Sequence, residues 1–296
     1  MAQSKSDRAA TVIPFLGPQA VADEDEIAIG LPAGTSPQRH AEQPRPSVLD
    51  LGDATKVWFL IGRGNTGKTM LLRYLAETTF ASDRRVLLAD MDRTNATLSS
   101  YFADVQRPPD ADEATAAKWL ERLLTFVMTD KIGALIDLGG GDTTLRRLVS
   151  EIPDLTDMLD GAGVAPVAAY MIGPRPDDLA PLATLESAGF RPPATAIVLN
   201  EGLIETPLPK DEAFSRVMRH SAFKAAVIRG AAPFWMPRLL PAAEIEARRI
   251  HFATARDGVV PTGKRQTPLG GFDRARVRAW LTAMDEEFGV IRSWLP

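Results

Sequence analysis

An apolar run that leads directly into a glycine-rich turn, and then into a helix-like segment, limits this chain to few folds. The run is residues 56–61 (KVWFLI), and residues 69–80 carry their apolar side chains at helical spacing. The turn between them consists of Gly62, Arg63, Gly64, Asn65, Thr66, Gly67, Lys68 and Thr69, and Met70 follows it. Glycines let a backbone curl so that its N–H groups point at an anion, and the helix that follows presents its positive end to that anion. The sequence therefore predicts an anion site between a strand and a helix.

The turn matches the whole P-loop pattern G-x-x-x-x-G-K-[ST]. In this motif the lysine, here Lys68, reaches the β- and γ-phosphates of a nucleotide, and the hydroxyl group of Thr69 is a ligand for Mg²⁺. The backbone from Gly62 to Met70 is expected to surround the phosphates. We therefore predict that the chain binds a nucleotide together with Mg²⁺.

Apolar runs and helix-like segments alternate along the rest of the chain. Strands that are apolar throughout are buried on both faces, and their alternation with helices is typical of a parallel sheet covered by helices. We predict an α/β fold with a doubly wound, mostly parallel sheet and helices on both faces. The predicted later strands are 85–89, 132–138, 164–172, 194–199 and 225–229, and a single helix is predicted over 143–159.

Residues 1–50 differ from the rest because they are rich in Pro, Ala, Gly, Ser, Gln and acidic residues and show no sustained period. We interpret them as a disordered leader. The P-loop domain, including the C-terminal helices, is expected over 51–296.

Acidic residues follow two of the predicted strands. Asp137 comes after an apolar run and is expected to hold Mg²⁺ through water, and the three glycines 139–141 that follow favour a mobile loop that senses the γ-phosphate. Asp90 and Asp92 leave another strand at spacing i, i+2 and point the same way in an extended chain. One of them can orient the attacking water while the other supports the metal. We therefore predict Thr69, Asp90 and Asp137 as the metal site.

Composition excludes several classes of protein. The 296 residues contain no cysteine, which rules out disulfides, thiolate metal sites and cysteine nucleophiles. The net charge of −4 does not indicate coating of nucleic acid by bulk charge. No apolar stretch is long enough to span a membrane and the start lacks a signal-peptide core, so a cytoplasmic location is expected.

The motifs together resemble the ParA/MinD group of P-loop ATPases, which carry a deviant Walker A motif and belong to the SIMIBI class. The segments GRGNTGKT, VLLADMDRTN, ALIDLGGGD and AIVLNEG follow the order and spacing of that group over residues 56–229. The resemblance implies ATP and Mg²⁺ as cofactors and a homodimer when ATP is bound. It implies that Asp92 positions the hydrolytic water, that Asp137 is the Walker B acid and that Asn200 bonds adenine, with 231–233 closing the base.

The chain departs from this group at several positions. Arg63 occupies the position of the signature lysine that reaches the partner's phosphates across the dimer, and an arginine could act there as a permanently charged finger. Arg93 and Thr94 stand where Pro-Gln is common, which bears on the rate of hydrolysis. The disordered leader and the glycine turn look like the plasmid partition and conjugation or mobilisation members. That subgroup implies DNA, or a DNA-binding or relaxase-type protein, as the partner.

The C-terminal segment 272–295 places its apolar residues on one stripe. Packing on the sheet is the preferred interpretation, because the polar face carries acids that an anionic membrane would repel. Membrane contact and a partner-binding helix are the alternatives. Upstream, a basic patch that could bind DNA is formed by Arg248, Arg249, Arg256, Lys264 and Arg265.

Three functions are compatible with the sequence. The first is a slowly hydrolysing ATP switch that dimerises. The second is an ATP-dependent small-molecule ligase or kinase, for which we identify no cluster of polar residues that would form a second substrate pocket. The third is a nucleotide-binding scaffold without turnover. The Asn200-Glu201 ending lacks the N-K-x-D guanine motif, so ATP is expected rather than GTP.

Overall fold

Seven of the chain's extended segments form one parallel sheet. In this computed structural model the described residues are 48–92, 97–110, 112–141, 143–260 and 266–296, and they fall within the compact unit Pro46–Pro296. The strands are β1 Thr55–Ile61, β2 Val86–Asp90, β3 Val105–Gln106, β4 Gly133–Asp137, β5 Val164–Ile172, β6 Ala194–Asn200 and β7 Ala232–Met236. Their order is β3-β2-β4-β1-β5-β6-β7, and every pairing is parallel. The strand that precedes the P-loop therefore lies at the centre of the sheet.

Helices cover both faces of this sheet. The α-helices are α1 Lys68–Ala81, α2 Glu113–Asp130, α3 Thr144–Glu151, α4 Leu155–Gly161, α5 Ala180–Ser187, α6 Lys210–Ala213, α7 Ser215–Arg219, α8 Ser221–Arg229, α9 Ala242–Arg248, α10 Phe252–Asp257 and α11 Gly271–Phe288. In β1, Val57 and Phe59 face a core that contains residues of α2 to α5, α7 and α8. Trp58 and Leu60 face the opposite core, which contains residues of α1 and α9 to α11. Because alternate side chains of one strand enter two separate cores, the predicted α/β fold with helices on both faces is confirmed.

Two predicted elements were wrong. Residues 225–229 belong to helix α8 and not to a strand, because the preceding His220 caps the helix by accepting from the Ala222 N–H and Gly230 ends it in the left-handed region. The last strand is β7, immediately after this helix. The single helix predicted over 143–159 is two helices, α3 and α4, and Pro153 lies between them.

The C-terminal helix packs on the sheet, as preferred from the sequence. Val277, Trp280, Met284 and Phe288 of α11 are buried in the same core as α1. The indole of Trp280 meets the ring of Tyr74 edge-on at 6.0 Å between centroids. The stripe that a membrane would contact is therefore occupied by the protein's own core. Within the described ranges, no helix has the length and apolarity of a membrane span.

The chain end is also tied to the central strand. The Trp58 indole N–H donates to the carbonyl of Trp294 at 2.7 Å, and the Trp294 indole N–H donates to the carbonyl of Leu49 at 2.7 Å. The described part of the chain begins at residue 48, so the boundary predicted at residue 50 stays a prediction. Most of the predicted leader, residues 1–47, lies outside the described residues.

Candidate functional site

The P-loop connects the carboxyl end of β1 to the first turn of α1. Gly67, at the N-cap of α1, has φ 96°, a left-handed conformation that glycine adopts without strain. A Cβ atom there would lie 2.5 Å from Asn200 Nδ2, and one at Gly62 would lie 2.8 Å from the carbonyl oxygen of Met171. Both glycines are therefore required by close neighbours as well as by the curl of the loop.

Hydrogen bonds from Thr66 and Lys68 hold this curl in place. The Thr66 hydroxyl group donates to the Arg63 carbonyl at 2.8 Å. The Lys68 ammonium group donates to the carbonyls of Arg63 at 2.9 Å and Gly62 at 3.2 Å, so its charge lies inside the loop. A mobile ammonium group at this point can neutralise phosphate oxygens, which is the role predicted for Lys68.

The two acids of the predicted metal site end adjacent strands, and Thr69 lies in the first turn of α1. Asp90 of β2 and Asp137 of β4 are partners in the strand register. The Thr69 hydroxyl group donates to Asp137 Oδ2 at 2.6 Å. Within the described part of the chain, Asp137 Oδ1 and Asp90 Oδ2 are buried without a hydrogen-bond partner. The structure therefore brings together a hydroxyl group and two buried carboxylates.

Burial is the main influence on the pKa of both carboxylates. It raises the pKa of Asp137 to about 7, although the Thr69 hydroxyl group and the Lys68 charge act in the opposite direction. Burial also raises the pKa of Asp90, which the Asp92 backbone N–H partly offsets. A divalent cation would stabilise the charged form of such groups.

This donor set fits Mg²⁺. Among the residues that the structure describes, no three acidic or histidine side chains form a cage for a metal. Mg²⁺ usually takes one or two protein oxygen ligands and completes its shell with phosphates and water. Thr69 and Asp137 would supply those protein oxygens, and Asp90 would lie behind them.

Asp92 lies in the same cleft as the P-loop. Its side chain is half-buried and lines a cleft of about 720 Å³ together with residues 64–70 and Asn200. Its backbone N–H donates to Asp90 Oδ1 at 3.0 Å, and its carbonyl accepts from Arg107 at 3.1 Å. The Asp92 carboxylate therefore lies where it could orient a water molecule beside phosphates bound to the P-loop. Arg93 and Thr94 lie outside the described residues.

Asn200 forms hydrogen bonds that the sequence did not predict. Its Nδ2 donates to the Thr66 carbonyl at 2.9 Å, and its Oδ1 accepts from the Gly202 N–H at 2.8 Å. The side chain therefore connects the end of β6 to the P-loop. A primary amide has two donor hydrogens and two acceptor lone pairs, so one of each remains for a ligand.

The cleft continues along the turn that follows β7. Pro237, Arg238, Leu239 and Leu240 line it beside Asn200 and Gly202. The suggestion that residues 231–233 close the nucleotide base was wrong. These residues lie at the amino end of β7, whereas the cleft lies at the carboxyl ends of the parallel strands. The error follows from placing the last strand one element too early.

Arg63 extends away from the nucleotide cleft. Its guanidinium group lies 3.4 Å from the Asp178 carboxylate. It lines a second cavity of about 800 Å³, which lies on the other side of residues 64–66. A pocket beside the P-loop, which we did not identify from the sequence, is therefore present.

The glycine loop after β4 packs directly on the P-loop. A Cβ atom at Gly140 would overlap the backbone N and Cα of Gly64, and one at Gly139 would lie 3.2 Å from the Cα of Asp92. Through these contacts, a structural change at the P-loop would directly affect residues 139 and 140. A role of this loop in sensing the γ-phosphate stays a prediction.

The predicted basic patch is mostly paired with acids. Arg248 pairs with Glu244, and Arg256 pairs with Asp257 at 2.7 Å. Lys264 and Arg265 lie outside the described residues. This segment therefore offers less free positive charge than its sequence suggests.

Comparison with known proteins gives a weak similarity in structure. No protein-family model matches the sequence, and no curated protein sequence matches it significantly. The MinC:MinD cell division complex of Aquifex aeolicus matches with a TM-score of 0.44 and 11% identity, covering 77% of this chain and 96% of that chain. Chloroplast FtsY of Physcomitrella patens matches with a TM-score of 0.42 and 13% identity over 80% of this chain and 69% of that one.

A third match is HypB from Helicobacter pylori in complex with nickel, with a TM-score of 0.37 and 13% identity over 72% of this chain and 92% of that one. MinD, one of the proteins for which the group suggested by the sequence motifs is named, is thus among the similar structures. Because all three similarities are weak, the P-loop NTPase fold is assigned from the strand order and the P-loop of the chain itself.

Proposed function

We propose that residues 51–296 form an ATPase domain that binds ATP with Mg²⁺ and hydrolyses it slowly. The observation that carries this proposal is one cleft in which the P-loop, the Thr69–Asp137 hydrogen bond and Asp92 come together. Mg²⁺ would neutralise charge on the phosphate oxygens. The Asp92 carboxylate would accept a hydrogen bond from the water that attacks the γ-phosphorus, and Lys68 would stabilise the charge that develops as the bond to the β-phosphate breaks.

The polar groups expected at the nucleotide base favour ATP over GTP. Guanine recognition by the N-K-x-D motif needs a carboxylate two residues after the lysine. Here Asn200 is followed by Glu201, Gly202 and Leu203, which supply neither group at those positions. The remaining donor and acceptor of Asn200 can serve adenine.

The proposed role of this ATPase is a switch that dimerises when ATP is bound. Support comes from Arg63, which does not line its own nucleotide cleft but turns into the neighbouring cavity. Its side chain is 51% exposed, so the guanidinium group is accessible to a second molecule. A bidentate, permanently charged arginine suits the phosphates of a nucleotide bound to another copy.

The proposed partner of the dimer is DNA, or a DNA-binding or relaxase-type protein. The proposed process is plasmid partition or mobilisation, and the proposed location is the cytoplasm. Three basic side chains on neighbouring helices would suit DNA. Arg216, Arg219 and Lys224 on α7 and α8 are exposed and form no ion pair with any described residue. Such groups bind the phosphate backbone without reading sequence.

Equilibrium binding and phosphate release test the ATPase proposal. ATP with Mg²⁺ should bind more tightly than GTP, and phosphate should be released. Lys68→Ala removes charge-assisted hydrogen bonds that contribute roughly 1.5–3 kcal/mol, so ATP affinity should fall about 10- to 100-fold. The matched control is Lys118→Ala on the exposed face of α2, which should bind ATP like the wild type. Equal affinity for ATP in all three proteins would contradict the site.

The second cavity gives specific support to the alternative function. A ligase or kinase needs a pocket for its second substrate beside the terminal phosphate, and this cavity shares Gly64, Asn65 and Thr66 with the nucleotide cleft. Mass spectrometry of reactions with ATP and candidate acids separates the two functions. A phosphorylated or ligated product would favour the enzyme, whereas release of free phosphate alone favours the switch.

A further inference from the structure

The second cavity is large enough for a small molecule and has its own recognition groups. Its volume of about 800 Å³ falls in the range of ligand pockets, about 300–1,000 Å³. Its charged lining residues are Arg63, Arg146, Arg175, Asp178 and Glu205. Three positive and two negative side chains leave a net charge of +1 on the lining. This charge is complementary to a single anionic group.

Arg146 is the arginine most available to that group. It projects from the first turns of α3 and is exposed. It forms no ion pair with any residue that the structure describes. Its neighbour Arg147, by contrast, pairs with Glu151 at 2.8 Å and does not line the cavity.

The other two arginines each pair with an acid. Arg175 lies 2.8 Å from Glu205, but the two side chains are 70% and 80% exposed. Arg63 lies 3.4 Å from Asp178. Exposed ion pairs contribute little free energy, so Arg175 can turn toward a ligand at small cost, whereas Arg63 is held by a buried carboxylate.

Apolar side chains form the remaining wall. Pro174, Pro181 and Leu203 line the cavity and are partly exposed. An inorganic anion would leave this wall in contact with water, whereas an aliphatic chain would cover it. The lining therefore combines one anion site with a surface for a short hydrocarbon.

We propose that this cavity binds a small organic monocarboxylate, with its carboxylate at Arg146 and its carbon chain on the partly exposed apolar side chains that line the cavity. The inference goes beyond the proposed switch and does not require dimerisation. Because Gly64, Asn65 and Thr66 border both cavities, the carboxylate would lie next to the terminal phosphate of a bound nucleotide. Binding at one cavity would therefore affect binding at the other, reciprocally.

Calorimetric titration with hexanoate tests this proposal on protein saturated with ADP and Mg²⁺, which fills the P-loop. Hexanoate should bind saturably. Acetate has the charge without the chain, and 1-hexanol has the chain without the charge, so each should bind at least about tenfold more weakly. Arg146→Ala should weaken hexanoate binding at least about tenfold, whereas Arg147→Ala should leave it unchanged.

Two results would overturn the proposal: no saturable binding of hexanoate, or equal weakening by Arg146→Ala and Arg147→Ala. A parallel titration of the Lys68→Ala variant without nucleotide separates this proposal from the ATPase proposal. Hexanoate should still bind that variant and lose affinity when Arg146→Ala is added. If the wild type does not bind ADP, that result would contradict the ATPase proposal but not the proposal for the second cavity. Hexanoate affinity that depends on Lys68 would show that the acid binds the P-loop and not the cavity.

Discussion

Thr69 connects the P-loop to the buried carboxylates through its hydroxyl group, which lies 2.6 Å from Asp137 Oδ2. Thr69→Ala removes this donor and one proposed ligand of Mg²⁺. The gain in ATP affinity that Mg²⁺ provides should fall about 10- to 100-fold, since hydrogen bonds to charged groups contribute roughly 1.5–3 kcal/mol. Thr69→Ser keeps the hydroxyl group and is the control. ATP titrations with Mg²⁺ and with EDTA measure the effect, and equal Mg²⁺ dependence in both variants would exclude Thr69 from the metal site.

Local spacing was sufficient to predict where some candidate site residues lie and insufficient for others. Lys68, Thr69 and Asp137 were predictable because each directly follows or ends a recognisable strand or turn. The bond from Asn200 to the Thr66 carbonyl was not predictable, because 134 residues separate the partners and only the strand order brings them together. Arg146 was missed for the same reason, since its sequence neighbours give no sign of the cavity.

The loop after β4 depends on glycine at the point where it crosses the P-loop. Gly140→Ala would force a Cβ atom into the backbone of Gly64. Such overpacking typically costs about 1–3 kcal/mol of unfolding free energy, and ATP affinity should fall as well because the P-loop must shift. Gly161→Ala at the end of α4, where a Cβ atom meets nothing within 4 Å, is the matched control. Urea unfolding measures both variants, and an unfolding free energy of Gly140→Ala equal to that of the wild type would show that the loop does not pack as described.

At the scale of elements, fully buried strands were the most predictable. β5 and β6 are buried at every position, and their apolar runs had no competing interpretation. The run AAVIR was misassigned because short apolar segments have no decisive period, and the cap at His220 and Gly230 determined its structure. The short β3 carries little apolar character, so its two residues gave no strand signal.

In the whole molecule, motifs that are far apart in the sequence lie together at one end of the parallel strands. From β1 the chain runs to β2 and β3 on one side, returns to insert β4 between β1 and β2, and then adds β5, β6 and β7 on the other side. Because all strands are parallel, the carboxyl ends of β1, β2, β4 and β6 lie at the same end of the sheet as the P-loop. Alternation of strand and helix predicted the parallel sheet and its two covered faces. The order of strands within the sheet, and with it the second cavity, depends on long-range packing that no local pattern records.

Molecular mass in solution tests the central claim most directly. Light scattering coupled to size-exclusion chromatography would be performed on Asp92→Ala protein, in which turnover is suppressed, with ATP and Mg²⁺, with ADP and Mg²⁺, and without nucleotide. The account predicts twice the 32.1 kDa chain mass with ATP alone, and 32.1 kDa in the other states. Adding Arg63→Ala should keep the mass at 32.1 kDa with ATP, whereas adding Arg147→Ala should still give the dimer. One mass in every nucleotide state would contradict the switch.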